Sequence, residues 1–316
     1  MVHRGAGEKM VLKNKKGIIF TTLAIVMLSL FFLGFSMFAL VQNREAINDR
    51  VGSLNNFVFF VEEDLPRQLY ISGFRTIFLF EKRILETGNY ITYFNDTFEE
   101  CFYNGTLYDE TQELMNGATF SEIIDNINIK GDKVNAKVSL SNPSIKIFQE
   151  DPWNIKIILT TDMEIEDKSG LVSWNKTKEI IAYIPIEGFE DPLYIVNGNG
   201  LVSNKINKTN YTYFVSGVDV SNLQDHLENS NYINSTDAPS FIDRLQGKTS
   251  PSDYGIESLV YLPKLPTQKQ DSSKSLVDHV YFSGATPNLH TVDGMPSWFK
   301  IDDAHVGLYG VSGLIS

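Results

Sequence analysis

The chain has 316 residues, of which 42% are hydrophobic and 21% charged, and its formal net charge is −12. This length and apolar content allow a sizeable core, while the acidic balance disfavours binding to nucleic acid or to an anionic lipid surface. The single cysteine, Cys101, excludes an internal disulfide, and we expect it to be a buried structural thiol.

The N-terminus joins a basic leader to a long apolar run. Residues 1–17 hold five Lys or Arg and one Glu, a net charge of +4, which leaves −16 for the rest. Residues 18–41 contain no charged residue, and as a helix they would extend about 36 Å, enough to cross a bilayer core. A cleaved secretory signal is disfavoured, because its apolar core is shorter and a small-x-small site follows it. The run predicts a single transmembrane helix with a cytoplasmic N-terminus and an extracytoplasmic C-terminal domain.

Helical periodicity continues beyond this run. Residues 42–66 predict an amphipathic stalk helix, interrupted at Pro66, with apolar residues at spacings of three and four: Ile47, Val51, Leu54, Val58, Val61 and Leu65. Residues 67–130 predict a helical segment. Its first helix places Tyr70, Phe74, Ile77, Phe78, Glu81, Ile84 and Leu85 near one stripe, which we expect to pack in the core, and ends at Gly88. A short helix in "TFSEIIDNI" follows.

Residues 131–200 change the apolar period from about 3.6 to 2. The segments "KVNAKVSL" and "WNIKIILTTDMEIED" alternate cleanly between apolar and polar residues. With "SIKIF", "LVSW" and "TKEIIAYIPI" they predict an antiparallel β-meander of about four or five strands, in which Pro185 marks a strand end or an edge. Turns are predicted at Asn142-Pro143, Asp151-Pro152 and Lys168-Ser169-Gly170.

Three carboxylates, Asp162, Glu164 and Glu166, share one face of a predicted strand. They could suit a divalent ion or a glycosidase pair. The carboxylates of hydrolases usually come from different elements and lie in a cleft, so a solvated face is the better interpretation.

Residues 201–316 predict a loop-rich C-terminal region that packs on the same ectodomain. "YTYFVSGVDV" predicts a strand, and "APSFIDRLQGK" predicts a short helix capped by Gly247. The last part holds histidines and aspartates that can form metal or acid–base sites: His279, His290, His305, Asp278, Asp293, Asp302 and Asp303. Their spacing matches no known ligand motif. We therefore expect no metal, no cofactor and no catalytic residue, and a core-closing role for Trp298, Phe299, His305 and Tyr309.

Asn-x-Ser/Thr sequons are frequent downstream of the apolar run. There are six, at Asn95, Asn104, Asn175, Asn207, Asn210 and Asn234. They are candidate glycosylation sites and are compatible with an exported glycoprotein.

The junction of leader and apolar run carries a family resemblance. Lys15, Lys16 and Gly17, followed at once by Ile18, resemble the class III signal peptide of archaeal type IV pilin-like surface proteins, in which a prepilin peptidase cuts after the glycine. The segments "WNKTKEIIAYIPIEGFEDPLYIVN", "SDYGIESLVYLPKLP" and "GMPSWFKID" are similar to parts of archaeal surface proteins with such leaders. The resemblance implies contact with the membrane through residues 18–41, and a prepilin peptidase and other pilin-like subunits as partners. One departure is Thr22, because bacterial type IV pilins carry a glutamate at the fifth mature position.

These features predict an α+β fold with a long N-terminal transmembrane and amphipathic helix, a helical segment and an antiparallel β-meander ectodomain. Three functions are compatible with it. The preferred one is an exported, membrane-anchored pilin-like structural or adhesive subunit, processed after Gly17. The others are a permanently anchored ectodomain that binds a ligand such as a sugar, and a membrane-bound hydrolase in which His279, His290, Asp293 and His305 converge in a cleft.

Overall fold

The structure is a computed structural model that describes residues 15–170 and 172–316. The predicted leader up to residue 14, and Leu171 of the predicted strand "LVSW", lie outside the described residues. The chain divides into two compact units, residues 1–57 and 58–316. The fold is α+β, with a long apolar N-terminal helix and antiparallel sheets, as the sequence predicts.

Helix α1 spans Lys15–Thr87. In the first unit it carries the apolar run, whose large side chains are exposed from Ile19 to Val41, with Phe20 at 72% and Phe31 at 70%. By length and composition this helix could cross a bilayer.

In the second unit α1 continues without a break, so the predicted interruption at Pro66 is wrong. Proline removes one backbone donor, but Leu65 and Leu69 on either side are buried and hold this part of the helix on the core. The helix ends where it was expected to end. Gly88 adopts a φ of 68° and donates its N–H to the carbonyl of Ile84 at 2.8 Å, a geometry that favours glycine.

The buried stripe of α1 differs in part from the predicted one. Ile77, Glu81 and Ile84 are buried as expected, together with Phe80, which the stripe did not include. Tyr70, Phe74, Phe78 and Leu85 are 37%, 40%, 46% and 56% exposed. The predicted stripe was wide enough to span both the core face and its exposed flank.

Two helices and a small hairpin connect α1 to the main sheet: α2 Phe94–Asn104, β1 Thr106–Leu107, β2 Glu110–Thr111 and α3 Phe120–Gly131. The predicted helix in "TFSEIIDNI" is α3. It begins with a capping box in which the Thr119 hydroxyl accepts from the Glu122 N–H while the Glu122 carboxylate accepts from the Thr119 N–H. The predicted structural thiol, Cys101, is buried in α2.

Three long antiparallel strands form the main sheet, in the order β3-β4-β5: β3 Ala136–Asp151, β4 Asn154–Asp167 and β5 Ser173–Pro185. The predicted four or five strands merge into these three. Asn142-Pro143 is a bulge inside β3 rather than a turn, because pairing with β4 resumes at Ser144. The alternation of "KVNAKVSL" predicts that Val134 lies on the buried face of the strand together with Ala136, Val138 and Leu140. This is wrong for Val134, which lies in a turn before β3 and is 40% exposed.

Within the second unit, α1 lies directly against this sheet. A Cβ added at Gly73 would overlap Ile157 Cδ1 on β4 and would lie 2.8 Å from Ile184 Cδ1 on β5. Glycine therefore permits the close approach of helix and sheet. Lys178 on β5 pairs with Glu62 on α1 at 2.5 Å.

The remaining chain is built from short elements, listed here in chain order: α4 Pro192–Asn197, α5 Ser221–Asn229, β6 Tyr232–Asn234, α6 Phe241–Leu245, β7 Ile256–Ser258, α7 Asp278–Ser283, β8 Leu289–His290 and β9 Ile301–Asp302. Strands β6 and β7 pair antiparallel, as do β8 and β9. The predicted helix in "APSFIDRLQGK" is α6, followed by Gly247 at a φ of 72°. The predicted strand "YTYFVSGVDV" is wrong, since it forms only a turn closed by a Ser216–Asp219 bridge.

Candidate functional site

The candidate processing segment lies at the start of α1. Gly17 is exposed, and its carbonyl accepts a hydrogen bond from the Thr21 hydroxyl at 3.0 Å. Lys15, Lys16 and Ile18 lie in the same first turns of the helix. The bond between Gly17 and Ile18 thus lies within α1.

The sequon asparagines all lie on the protein surface. All six have exposed side chains: Asn95, Asn104, Asn175, Asn207, Asn210 and Asn234. Their exposure satisfies a steric requirement for a glycan, and glycosylation stays a prediction. Asn95 also lines a surface pocket of about 430 Å³, together with Tyr93, Phe148 and Lys248.

The carboxylates of β4 form an exposed or half-buried row, in agreement with the predicted solvated face. Glu164 is exposed. Asp162 accepts hydrogen bonds from Thr177 at 2.6 Å and from Asn142 at 3.0 Å, and Glu166 lies 4.0 Å from Lys137. These local contacts give the row a structural explanation.

The C-terminal core contains a buried guanidinium between two buried carboxylates. Arg244 on α6 donates from Nη1 to Asp191 Oδ2 at 2.6 Å and to Asp278 Oδ2 at 2.9 Å. Its Nη2 donates to Asp278 Oδ1 at 3.2 Å and to the carbonyl of Ile256. All three charged side chains have 0% exposure. Burial raises the pKa of Asp191 although the neighbouring guanidinium opposes that shift.

Hydrogen bonds from neutral groups extend this cluster. Tyr232 donates its hydroxyl to Asp191 at 2.7 Å. Ser258 on β7 donates both its N–H, at 3.0 Å, and its hydroxyl, at 2.9 Å, to Asp278. The Tyr194 hydroxyl lies 2.9 Å from the Ser258 hydroxyl. The carboxylates therefore have many partners, as buried charges require.

The residues next to this cluster in sequence form a second buried group. Glu257 precedes Ser258 on β7, and His279 follows Asp278 on α7. The Nε2 atoms of His279 and His305 lie 3.5 and 3.3 Å from Glu257 Oε2. The three side chains are 7%, 3% and 0% exposed for His279, His305 and Glu257.

His305 has a second carboxylate partner. Its Nδ1 lies 2.6 Å from Asp302 Oδ1, and Asp302 Oδ2 accepts from the Ser275 hydroxyl at 2.5 Å. Burial lowers the pKa of His305, but Asp302 and Glu257 outweigh burial and raise it to about 10. Burial raises the pKa of Glu257, and the adjoining His279 and His305 reverse that shift and lower it to about 2.

Of the histidines and aspartates noted in the sequence, the structure brings only some together. His279 and His305 meet in the buried group, with their ring centroids 5.5 Å apart. His290 pairs instead with Asp303 at 2.5 Å, and Asp293 donates its N–H to the carbonyl of Leu314. Of the four residues that the hydrolase hypothesis places in a cleft, two therefore meet in a buried group.

The predicted core-closing residues lie close to this group. Phe299 and Tyr309 are fully buried and His305 is 3% exposed, while Trp298 packs against the same core from a partly buried position. Burial of these residues agrees with the prediction.

Sequence reasoning missed three residues on which these clusters depend: Asp191, Arg244 and Glu257. One signal was present for Glu257, the single charged residue in the mainly apolar stretch "GIESLVYL". Charged residues in such a stretch are rarely buried unless they are paired. Their partners are distant in sequence, so the pattern alone could not identify them.

The chain was also compared with known proteins. No protein-family model matches it, and neither a curated protein nor a solved structure shows significant similarity to it.

Proposed function

We propose that the protein is an exported, membrane-anchored pilin-like surface subunit that is processed between Gly17 and Ile18. One observation carries this proposal. Directly after Gly17, α1 presents exposed large apolar side chains from Ile19 to Val41, with no charged residue in that segment. Such a segment needs an apolar environment, which either a bilayer or the interior of a helical filament supplies.

Removal of the leader would change the energetics of this helix. With residues 1–17 attached, a net charge of +4 keeps the N-terminus at the cytoplasmic face, because moving that charge into hydrocarbon is costly. After cleavage the segment would carry only its new α-amino group. The helix could then leave the bilayer for a filament core at a much lower cost.

The remaining chain suits the outer part of such a subunit. The ectodomain is strongly acidic, with −16 after residue 17, which favours solubility at a surface. The six sequon asparagines are all exposed. The proposed role is structural or adhesive, with a prepilin peptidase and other pilin-like subunits as partners.

The test is intact-mass and N-terminal analysis of the full-length protein expressed with and without a prepilin peptidase. We expect loss of residues 1–17 and a mature terminus at Ile18 only when the peptidase is present. Gly17→Val should block processing, because the peptidase requires a small residue before the cut. Gly34→Val is the matched control, since a Cβ at Gly34 meets no described atom within 4 Å.

A different outcome would replace the proposal. If only the full-length chain, with Lys15 and Lys16 retained, is recovered when an active peptidase is co-expressed, the protein is a permanently anchored ectodomain. If Gly17→Val and Gly34→Val are processed equally, the cut does not depend on the residue at position 17. Electron microscopy of the processed protein then tests filament formation separately from cleavage.

A further inference from the structure

The buried group of Glu257, His279 and His305 has the composition and spacing of a metal site. One ligand atom from each residue lies within 4.8 Å of the others. The three residues come from β7, from α7 and from the turn after β9. A side-chain carboxylate and two imidazoles are the ligand types that zinc uses in proteins.

These atoms are close, but they do not form hydrogen bonds with one another. Both oxygens of Glu257, and Nε2 of His279 and of His305, have no hydrogen-bond partner within residues 15–170 and 172–316. Buried polar atoms nearly always have a partner in the protein, in ordered water or in a bound ion. The Glu257 carboxylate and the two imidazoles approach one another at 3.5 and 3.3 Å without a hydrogen bond of good geometry, an arrangement that a shared cation would satisfy.

The distances suit tetrahedral coordination. Zinc bonds to imidazole nitrogen and carboxylate oxygen of 2.0–2.2 Å separate neighbouring ligand atoms by about 3.3–3.6 Å. The two nitrogen-to-oxygen distances are 3.3 and 3.5 Å. The two imidazole ligand atoms lie within 4.8 Å of each other, so a small closing movement would complete the three-ligand face.

A second carboxylate fixes the orientation of one ligand. Nδ1 of His305 lies 2.6 Å from Asp302 Oδ1. The imidazole therefore carries its proton on Nδ1 and donates it in a hydrogen bond to Asp302. In the neutral imidazole, Nε2 then keeps its lone pair on the side of Glu257. Carboxylate–histidine pairs of this kind orient histidine ligands in zinc proteins. Ser275 holds the same carboxylate through its hydroxyl at 2.5 Å.

The local charge also favours a divalent cation. Among the described residues of the two linked clusters, the four carboxylates of Asp191, Glu257, Asp278 and Asp302 are buried beside one guanidinium, that of Arg244, and the imidazole of His305, whose proton a metal ion would replace. A divalent cation would offset most of this excess. Imidazole ligands select zinc and similar transition metals over magnesium and calcium.

We propose that Glu257, His279 and His305 bind one divalent transition-metal ion, zinc by preference, in a structural site. Burial of all three ligands leaves no route for a substrate, so the role is structural, and the second Glu257 oxygen or a water molecule would fill the fourth position. The metal would join three short segments whose own secondary structure spans only a few residues each. This proposal is independent of cleavage after Gly17.

The test uses the full-length chain purified in detergent with a histidine-free tag and stripped with a chelator. Titration with Zn²⁺ against a chromophoric competitor should show one tight equivalent, and Co²⁺ should give the visible absorption of a tetrahedral nitrogen and oxygen site. His279→Gln and His305→Gln should each weaken binding by more than tenfold. Asp302→Asn should weaken it by about 10–100-fold through the loss of ligand orientation.

His290→Gln is the matched control, because His290 pairs with Asp303 and should leave binding unchanged. Near-UV circular dichroism establishes that each variant is folded. Absence of a tight equivalent in the unmodified protein overturns the proposal, whatever the variants do. So does equal binding by the folded His279→Gln, His305→Gln and His290→Gln proteins, which would identify the group as a charge-paired core.

Discussion

Replacing Arg244 with methionine would remove the guanidinium that lies between two buried carboxylates. Methionine has a similar length and adds no charge, so the change tests the ion pairs with little loss of volume. Asp191 and Asp278 lose their shared cation, and the carbonyl of Ile256 loses a donor. All three charged side chains have 0% exposure, so water cannot replace the missing bonds.

The expected loss is large for a single substitution. Breaking a buried ion pair by removing one partner costs about 3–5 kcal/mol. For a domain of this size, each kcal/mol lowers the melting temperature by about 2–4 °C, so we expect a decrease of ~6–20 °C. Intrinsic fluorescence reports on the correct unit, since the three tryptophans, Trp153, Trp174 and Trp298, all lie within residues 58–316.

Two further variants make the result decisive. Arg67→Met removes an arginine that is 70% exposed and lies 3.6 Å from Asp64, and such surface pairs contribute about 0–1 kcal/mol. Combining Arg244→Met with Asp191→Asn and Asp278→Asn should recover part of the stability by removing the uncompensated charges. A melting temperature of Arg244→Met within about 2 °C of that of the unmodified protein would contradict a stabilising role of these ion pairs. A triple variant no more stable than Arg244→Met would contradict it as well.

Other positions test other parts of the fold. Burial raises the pKa of Glu81 to about 9 from an ordinary value of 4.5, so the folded state holds this proton and stability falls as the pH rises from 4.5 towards 9. Glu81→Gln should flatten that dependence in melts at pH 5 and pH 8 and add up to ~3 kcal/mol at pH 7; an unchanged slope would contradict the shift. A Cβ at Gly255 would overlap two backbone carbonyl oxygens, so Gly255→Ala should lower the free energy of unfolding by ~1–3 kcal/mol or more in chemical denaturation. Gly307→Ala is the control and should cost far less, because a Cβ at Gly307 meets no described atom within 4 Å. Thr119→Ala removes the capping box with Glu122 and should lower stability by about 1 kcal/mol in the same assay; equal midpoints would exclude a role for the cap.

The regular elements could be predicted because their patterns are local. Strand β4 alternates between buried and less buried residues along its length, and this period is visible in the sequence itself. Two errors arose where tertiary contacts outweigh local preference. Pro66 stays inside α1 because its neighbours are buried, and Asn142-Pro143 becomes a bulge because β4 pairs with β3 on both sides of it.

The buried clusters could not be predicted in the same way. Arg244 meets Asp191 from 53 residues away and Asp278 from 34 residues away, and no periodicity records such pairings. His279 and His305 were visible as candidates, but their acidic partner lies on a strand of three residues. A site assembled from short elements leaves no spacing motif, because each ligand is placed by the fold rather than by its neighbours in sequence.

This difference bears on how the C-terminal region holds together. Its elements after β5 are at most nine residues long within the described chain, and loop-rich regions of exported proteins often depend on disulfides or metals. A single cysteine excludes an internal disulfide. Among the described residues, two buried charged groups cross-link the C-terminal region: the ion pairs of Arg244, which join α6 to the start of α4 and to α7, and the group of Glu257, His279 and His305, which joins β7 to α7 and to the turn after β9. Because the two groups meet at consecutive residues, Glu257 with Ser258 and Asp278 with His279, a change in either should be transmitted to the other. In the proposed surface subunit, these buried charged groups would cross-link segments that are distant in sequence, the role that disulfides have in other exported proteins.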